Sequence, residues 1–499
     1  VQERSQDHVD DADEDEHPPR RQAGSGNELL YFGLQPGNEE YVRQQVAADE
    51  IAGAGAGAGS VDRADVVDAG SAALDASNAG SAAAGSGDMG SSISGSLGGD
   101  LGTDDPLDVP IPAGTGPGSI LAIAPVDFPE GPGMGSSGGS AEGASESDGP
   151  VTGDARLLAF ASTMEDGTLA PVGAVLYEPH EPWTGEGERP TVVVAPGTVG
   201  QADRCAPSRT FAQEDDAHVG QAQTLMGQGY RVIVTDYIGL GGPGIHTYAN
   251  RIEQGRTVLD AARAALAADG LAGDSPVGLW GYSQGGGAVA SAAEMAPTYA
   301  PGLNIRATFA GAPPADLAQV LTQIDGSLIM GAIGYAVNGF LARNPDLAPL
   351  MTRVLSPRGA ETLAGLADDC IMDSVDRTGL RSTTGWTADG RPLSEHFAEH
   401  PEIVEVLDNN LIGTMKPEHP VLVINGSNDD VIPAAQAEQL ARDWCDLGAE
   451  VVYRADSIPP LAPGMAINHS LPMMAANDAA LDFMAAAFAG ESTGSTCGN

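Results

Sequence analysis

Val277-Gly278-Leu279-Trp280-Gly281-Tyr282-Ser283-Gln284-Gly285-Gly286-Gly287-Ala288 joins an apolar run of strand type to an Ala-rich segment of helix type. The joint has the pattern G-x-S-x-G, in the strand–turn–helix setting that lifts a serine hydroxyl clear of a sheet. So tight a turn excludes a Cβ two residues before and two after the serine, which accounts for Gly281 and Gly285. It also sets Ser283 at the positive end of the following helix, where a developing oxyanion is stabilised. The bland alternative is a small-residue turn needed only for close strand–helix packing.

Around this turn, short apolar runs alternate with segments of helical period. Strands are predicted at 191–195, 230–236, 277–281, 306–310, 421–425 and 451–454, with helices such as 251–268 and 434–447 between them. Continuous Val/Ile/Leu strands separated by helices indicate an α/β domain whose mostly parallel sheet is covered on both faces. Upstream, the alternating run 155–162, the turn Glu165-Asp166-Gly167 and the run 172–177 predict a β-hairpin.

A serine hydroxyl needs a general base, normally a histidine oriented by a carboxylate. In the α/β-hydrolase order the acid and then the histidine follow the serine. Beyond Ser283 stand His396, His400, His419 and His469, and only His469 also follows a strand-ending acid. That acid lies in Val421-Leu422-Val423-Ile424-Asn425-Gly426-Ser427-Asn428-Asp429-Asp430-Val431-Ile432-Pro433. Asp429 has the favoured spacing and Asp430 is the alternative. His469 is expected in a loop before a final helix near 471–488. The oxyanion hole requires two N–H groups. One is expected from Gln284, the other from the loop starting Ala195-Pro196-Gly197-Thr198-Val199, with Thr198 or Val199 as the donor.

The motifs Ala195-Pro196-Gly197-Thr198, Cys205-Ala206-Pro207-Ser208 and Asp236-Tyr237-Ile238-Gly239-Leu240-Gly241, with the Ser283 turn, the Asp429 loop and His469, together resemble the secretory lipases. That group includes the yeast lipase A enzymes and many actinobacterial relatives. The resemblance spans roughly residues 104–489, and the lead-in Pro117-Gly118-Ser119-Ile120-Leu121 shares it. It implies an α/β-hydrolase fold and secretion, to the extracellular space or cell envelope. It further implies cofactor-free and metal-free hydrolysis of lipid esters by a Ser283–His469–Asp429 triad through an acyl-enzyme, and a helical cap between nucleophile and acid. A Cys205–Cys370 disulfide would match the family's cap-to-core bridge, leaving Cys445 and Cys497 as the second pair. Two departures stand out: Pro196 where the family usually has His, and an additional Gly/Ser-rich insert at 130–153.

Spacing supports the cap independently. Ser283 and Asp429 are 146 positions apart, about twice what short loops and elements require in a bare sheet of this kind. The surplus falls at about 313–411, where Leu328-Ile329-Met330-Gly331-Ala332-Ile333 suits either an acyl pocket or the cap's own core. Acyl transfer or non-lipolytic esterase activity would use the same residues. A peptidase, an amidase or a non-catalytic surface binding protein on this fold are the more distant readings.

Composition limits the rest. Of 499 residues, 69 are Asp or Glu and 23 Lys or Arg, a net charge of −46, which disfavours nucleic acid and anionic membrane as partners. Residues 1–103, a Gly/Ala/Ser/Asp-rich acidic extension, hold −14 of this charge. They bury too little apolar surface to offset backbone ordering and are expected to be disordered. The other −32 belongs to the catalytic region, where Lys416 is the only lysine of the chain. Such a surface fits salty or extracellular surroundings and admits neutral esters most easily. Residues 490–499 are expected to form a flexible tail. No apolar run reaches the roughly 18 residues of an integral membrane segment, and a first residue of Val fits a mature secreted chain, as it would a trimmed one.

Overall fold

The computed structural model describes residue 107 and residues 109–128, 151–212 and 217–498. The extension 1–103 and most of the 130–153 insert lie outside the described residues.

Nine strands form one sheet: β1 (Ile120–Val126), β2 (Gly153–Thr163), β3 (Leu169–Pro179), β4 (Thr191–Ala195), β5 (Arg231–Thr235), β6 (Pro276–Tyr282), β7 (Asn304–Gly311), β8 (Val421–Gly426) and β9 (Val451–Asp456). Their order is β1-β2-β3-β5-β4-β6-β7-β8-β9. The pairs from β5 through β4, β6, β7 and β8 to β9 are parallel. The predicted hairpin is β2–β3, in unbroken register from Gly153↔Pro179 to Thr163↔Leu169. Strand β1, which the lead-in residues did not announce, adds an antiparallel edge.

Residues alternate between the two faces, as the two-residue repeat of a strand requires. Val192 and Val194 of β4 join the apolar layer on one face with Leu225, Trp280 and Ile424, and Val193 joins the opposite layer with Ile233, Leu279 and Val423. The first layer is closed by helices α1 (Ala217–Gly227) and α12 (Ile467–Phe488), the second by α2 (Arg251–Ala268), α3 (Gln284–Tyr299) and α11 (Ala434–Asp446). Helix α2 has the predicted bounds and is capped by the Asn250 side chain, which accepts from the N–H groups of Ile252 and Glu253.

Between β7 and β8 the chain forms seven α-helices: α4 (Leu317–Ile324), α5 (Gly331–Arg343), α6 (Ala348–Val354), α7 (Pro357–Leu366), α8 (Ile371–Thr378), α9 (Leu393–Ala398) and α10 (Pro401–Asn409). This insertion is tied to the loop after β4. Ile371 donates its N–H to the Val199 carbonyl, Gln201 and Ala202 donate theirs to Asp369, and Cys205 is disulfide-bonded to Cys370. Arg343 adds a partly buried ion pair with Glu253 of α2 at 2.7 Å.

Two expectations are corrected. The final helix begins at Ile467, not near 471, so His469 lies in its first turn rather than in a loop. The start is hidden in the sequence because no neighbouring side chain caps it; the Asp430 carboxylate does so from another loop, accepting from the N–H groups of Ala466 and His469. The C-terminal segment does not hang free either. Thr496 donates its N–H to the Val451 carbonyl beside β9, and Cys497 is disulfide-bonded to Cys445 of α11.

Candidate active site

Ser283, Asp429, His469 and the loop of Thr198 follow β6, β8, β9 and β4, so all four lie beyond the carboxyl ends of parallel strands, where open α/β sheets hold ligands. Ser283 has φ +58° and ψ −123°, a conformation that L residues rarely adopt and that bends strand directly into helix. The bend holds because the flanking backbones come within contact of each other. A Cβ on Gly281 would lie 2.2 Å from the Gly285 carbonyl oxygen, and one on Gly285 would lie 2.1 Å from that of Ala195. Any larger residue would push the turn off β4. Ser283 donates its N–H to the Gly311 carbonyl, and Gly287 donates to the Ser283 carbonyl to open α3.

His469 Nε2 is 2.8 Å from Ser283 Oγ, and His469 Nδ1 is 2.8 Å from Asp429 Oδ2. The second carboxylate oxygen of Asp429 accepts from the N–H groups of Val431 and Ile432, both at 2.8 Å. The structure therefore brings together the three residues singled out from the sequence and separates the two adjacent acids. Asp429 meets the imidazole, whereas Asp430 meets only the backbone of the helix that bears it. Burial, and then the neighbouring Asp429 charge, push the Asp430 carboxyl above its usual range.

Gln284 is the first residue of α3 and 3% exposed. Its side-chain amide donates to Nε2 of His246 (3.0 Å), a buried imidazole stacked on Tyr237. Burial lowers the His246 pKa to about 4, so the ring is neutral at pH 7 and can accept that bond. Thr198 and Val199 are both half-buried; Thr198 lines the cavity over Ser283, while Val199 does not figure in the lining. Residues 396, 400 and 419 remain apart from the serine: His396 pairs with Asp389, His400 with Glu402 and His419 with Thr308.

Side chains that the sequence reading did not single out complete the surroundings. Tyr282 donates its hydroxyl to the His469 carbonyl (2.8 Å) and sets its ring 5.3 Å from the imidazole. His246, Tyr248 and Tyr282 come close only in the folded chain; the x position before the serine was the one local pointer, at Tyr282. The cavity opening from Ser283 runs between the sheet edge and the insertion. Its walls are chiefly Leu321, Ile333, Val337, Phe340, Phe397 and Leu407, with Thr198, Tyr248, Arg251, Gln254, Gln284 and Asn410 as its polar lining besides Ser283.

A profile described as "Secretory lipase" matches residues 208–496. The chain is 31% identical over 281 residues to a Mycobacterium tuberculosis protein named as a probable inactive lipase, covering 53% of this chain and 61% of that one. It is 30% identical over 261 residues to a secreted triacylglycerol lipase of Malassezia globosa, covering 50% and 56%. The chain thus spans roughly half to three-fifths of the length of these curated relatives. Among solved structures, Candida antarctica lipase A in its closed state matches with a TM-score of 0.64 at 20% identity, over 79% of this chain and 88% of that one. The rice cell wall degrading esterase LipA of Xanthomonas oryzae matches with a TM-score of 0.61 at 20% identity, over 74% and 99%. Both structures show likeness of fold.

Proposed function

The chain belongs to the secretory lipase family, and from that premise we propose that it is a secreted serine hydrolase of carboxylic esters with an acyl chain, acting through Ser283, His469 and Asp429. The observation that carries this reading is the unbroken hydrogen-bond chain Ser283 Oγ–His469 Nε2 and His469 Nδ1–Asp429 Oδ2. Membership alone is insufficient, since one matched relative is named as inactive. Here the serine, the imidazole and the carboxylate are linked by two contacts of 2.8 Å each.

In the first step Ser283 Oγ bonds to the ester carbonyl carbon while its proton passes to His469 Nε2. The carbonyl π pair moves onto oxygen, which the N–H of Gln284 and the loop of Thr198 stabilise. The tetrahedral species collapses, the alcohol leaves with the proton from His469, and the acyl group remains on Ser283. A water then gives its proton to His469 and attacks the acyl carbon. The acid departs and the Ser283 hydroxyl is restored. Asp429 holds the imidazole in one tautomer throughout, its other oxygen fixed by two backbone N–H groups.

The apolar walls support an acyl chain as the group bound beyond the carbonyl. Two disulfides support an oxidising, extracellular location. Labelling with a fluorophosphonate tests the reading: the native protein is expected to be labelled and Ser283→Ala to remain unlabelled. Equal behaviour of the two proteins overturns it. Nitrophenyl esters of increasing chain length, followed by emulsified triglyceride, then define the ester class.

A further inference from the structure

We propose that the Thr198–Tyr248 hydroxyl pair donates a side-chain hydrogen bond to the oxyanion, with Thr198 Oγ1–H touching the substrate oxygen and Tyr248 positioning it. This rests on the reading of Ser283 as nucleophile. Thr198 Oγ1 and Tyr248 OH share one hydrogen bond of 2.7 Å, and both residues line the same cavity as Ser283 and Gln284. Neither hydroxyl has a second partner among the described residues. Two hydroxyls carry two protons, and their mutual bond uses one whichever of them donates. One O–H is therefore left at a cavity that is mostly apolar and whose other polar lining residues include Gln254, Gln284 and Asn410, none of them bonded to either hydroxyl.

That O–H has no acceptor among the described residues, so the pair is free to give it to an acceptor that arrives with the substrate. The acceptor that Ser283 chemistry brings there is the carbonyl oxygen. A phenol is a far stronger acid than an aliphatic alcohol, so Tyr248 is the better donor within the pair and Thr198 keeps the free proton. The loop position agrees. Thr198 stands three residues after Ala195, whose carbonyl is the atom that crowds Gly285 at the serine turn.

Tyr248 is held firmly enough to orient its partner. Its ring meets His246 at 5.8 Å and Tyr335 of α5 at 5.7 Å, both edge-on. The following residue, Ala249, has φ +61°, a strained turn that ends just before the Asn250 cap of α2. As Ser283 Oγ bonds to the carbonyl carbon and its proton moves to His469, the π pair localises on oxygen. That oxygen then accepts from Gln284 N–H and from Thr198 O–H, and it releases both bonds when the carbonyl re-forms.

Thr198→Val, Thr198→Ser and Tyr248→Phe test this with nitrophenyl butyrate and with an alkylboronic acid, whose tetrahedral adduct on Ser283 carries the anionic oxygen. Thr198→Val is expected to lower kcat by about 100-fold, the scale of one lost oxyanion donor, with KM changed by less than about threefold. Boronate affinity should fall in parallel with kcat/KM. Thr198→Ser should recover most of the rate, and Tyr248→Phe should lose roughly tenfold because the Thr198 hydroxyl is then free to turn away. A Thr198→Val enzyme within about threefold of the native rate overturns the proposal. So does Thr198→Ser as poor as Thr198→Val, or an unchanged boronate affinity beside a reduced kcat. Should the native protein neither turn over the ester nor take up fluorophosphonate, the nucleophile assignment itself fails and this proposal with it; native activity with indifferent variants removes this proposal alone.

Discussion

The sheet edge and the helical insertion face each other across one cavity, but they are organised by different forces. At the sheet edge, position is dictated by backbone. The serine turn is wedged against β4, Asp429 is held by two N–H groups, and His469 sits on a helix whose N-terminus is capped by Asp430. In the insertion, position comes largely from apolar contact among Leu350, Met351, Leu363, Leu366, Trp386 and Phe397, with hydrogen bonds and ion pairs to the core that include those at residues 199–205, Arg251, Glu253, Asp429 and Gly464. Backbone-dictated groups tolerate no substitution of chemistry, whereas an apolar wall can be reshaped. Under the proposed function, catalysis belongs to one side and selectivity to the other.

The sharpest break in this contrast comes from the adjacent acids. Asp429→Asn keeps the shape of the side chain but leaves the imidazole free to adopt the wrong tautomer, and is expected to lower kcat by about 10,000-fold. Asp430→Asn removes one of the two acceptors that cap the helix and not a proton-transfer partner, and is expected to cost roughly tenfold. Steady-state kinetics on a short nitrophenyl ester separates the two. Equal losses would mean that the backbone of His469 matters as much as its orienting carboxylate, and that the adjacent acids share one role.

A second effect belongs to the sheet edge alone and concerns stability. Asp236, at the end of β5, is fully buried and accepts from the N–H and the hydroxyl of Ser208, which ties the loop after β4 to the sheet. Burial raises its pKa from 3.8 to about 6. Between about pH 4 and pH 6 the folded chain therefore holds a proton that the unfolded chain has released, so this group's contribution makes stability fall as pH rises through that window. At roughly 1.4 kcal/mol per unit, the cost in place above pH 6 is about 3 kcal/mol. Urea unfolding of native protein and Asp236→Asn at pH 4, 5, 6 and 7 should give a stability difference that shifts in favour of the variant by that order across the window. A difference that stays flat would show that Asp236 titrates alike in both states.

The same division explains what was legible in the sequence. Ser283 was readable because the turn that displays it has a steric requirement, and Gly281 and Gly285 meet that requirement locally. Asp429 and His469 followed from chain order, which the right-handed parallel sheet converts into a shared edge. The start of the last helix was not readable, since its cap comes from Asp430, 36 residues before Ala466. Tyr248 was hidden for a related reason: it stands 50 residues from Thr198, with no pattern linking the two. Within the insertion, the Leu/Ile/Met pattern gave helices but not their wall-facing members, because cavity wall and cap core draw on the same side chains. Ile333 and Val337 belong to both the buried cluster and the cavity lining.

The insertion therefore calls for a change that alters its wall and leaves the sheet edge alone. Ala336 on α5 is half-buried, lines the cavity and is small enough that a larger side chain would occupy the space an acyl chain needs. Ala336→Phe is expected to leave kcat/KM for a butyryl ester within about threefold and to lower that for a dodecanoyl ester by roughly 10-fold or more, since each obstructed methylene is worth about 1–3 kcal/mol. The ratio of the two rates is the quantity that decides. A fall shared equally by both esters would place residue 336 among the groups that hold the reacting carbonyl and would merge the two regions. An unchanged ratio would mean that the acyl chain leaves the serine by another route, along the loop that precedes α12 and not beneath the insertion.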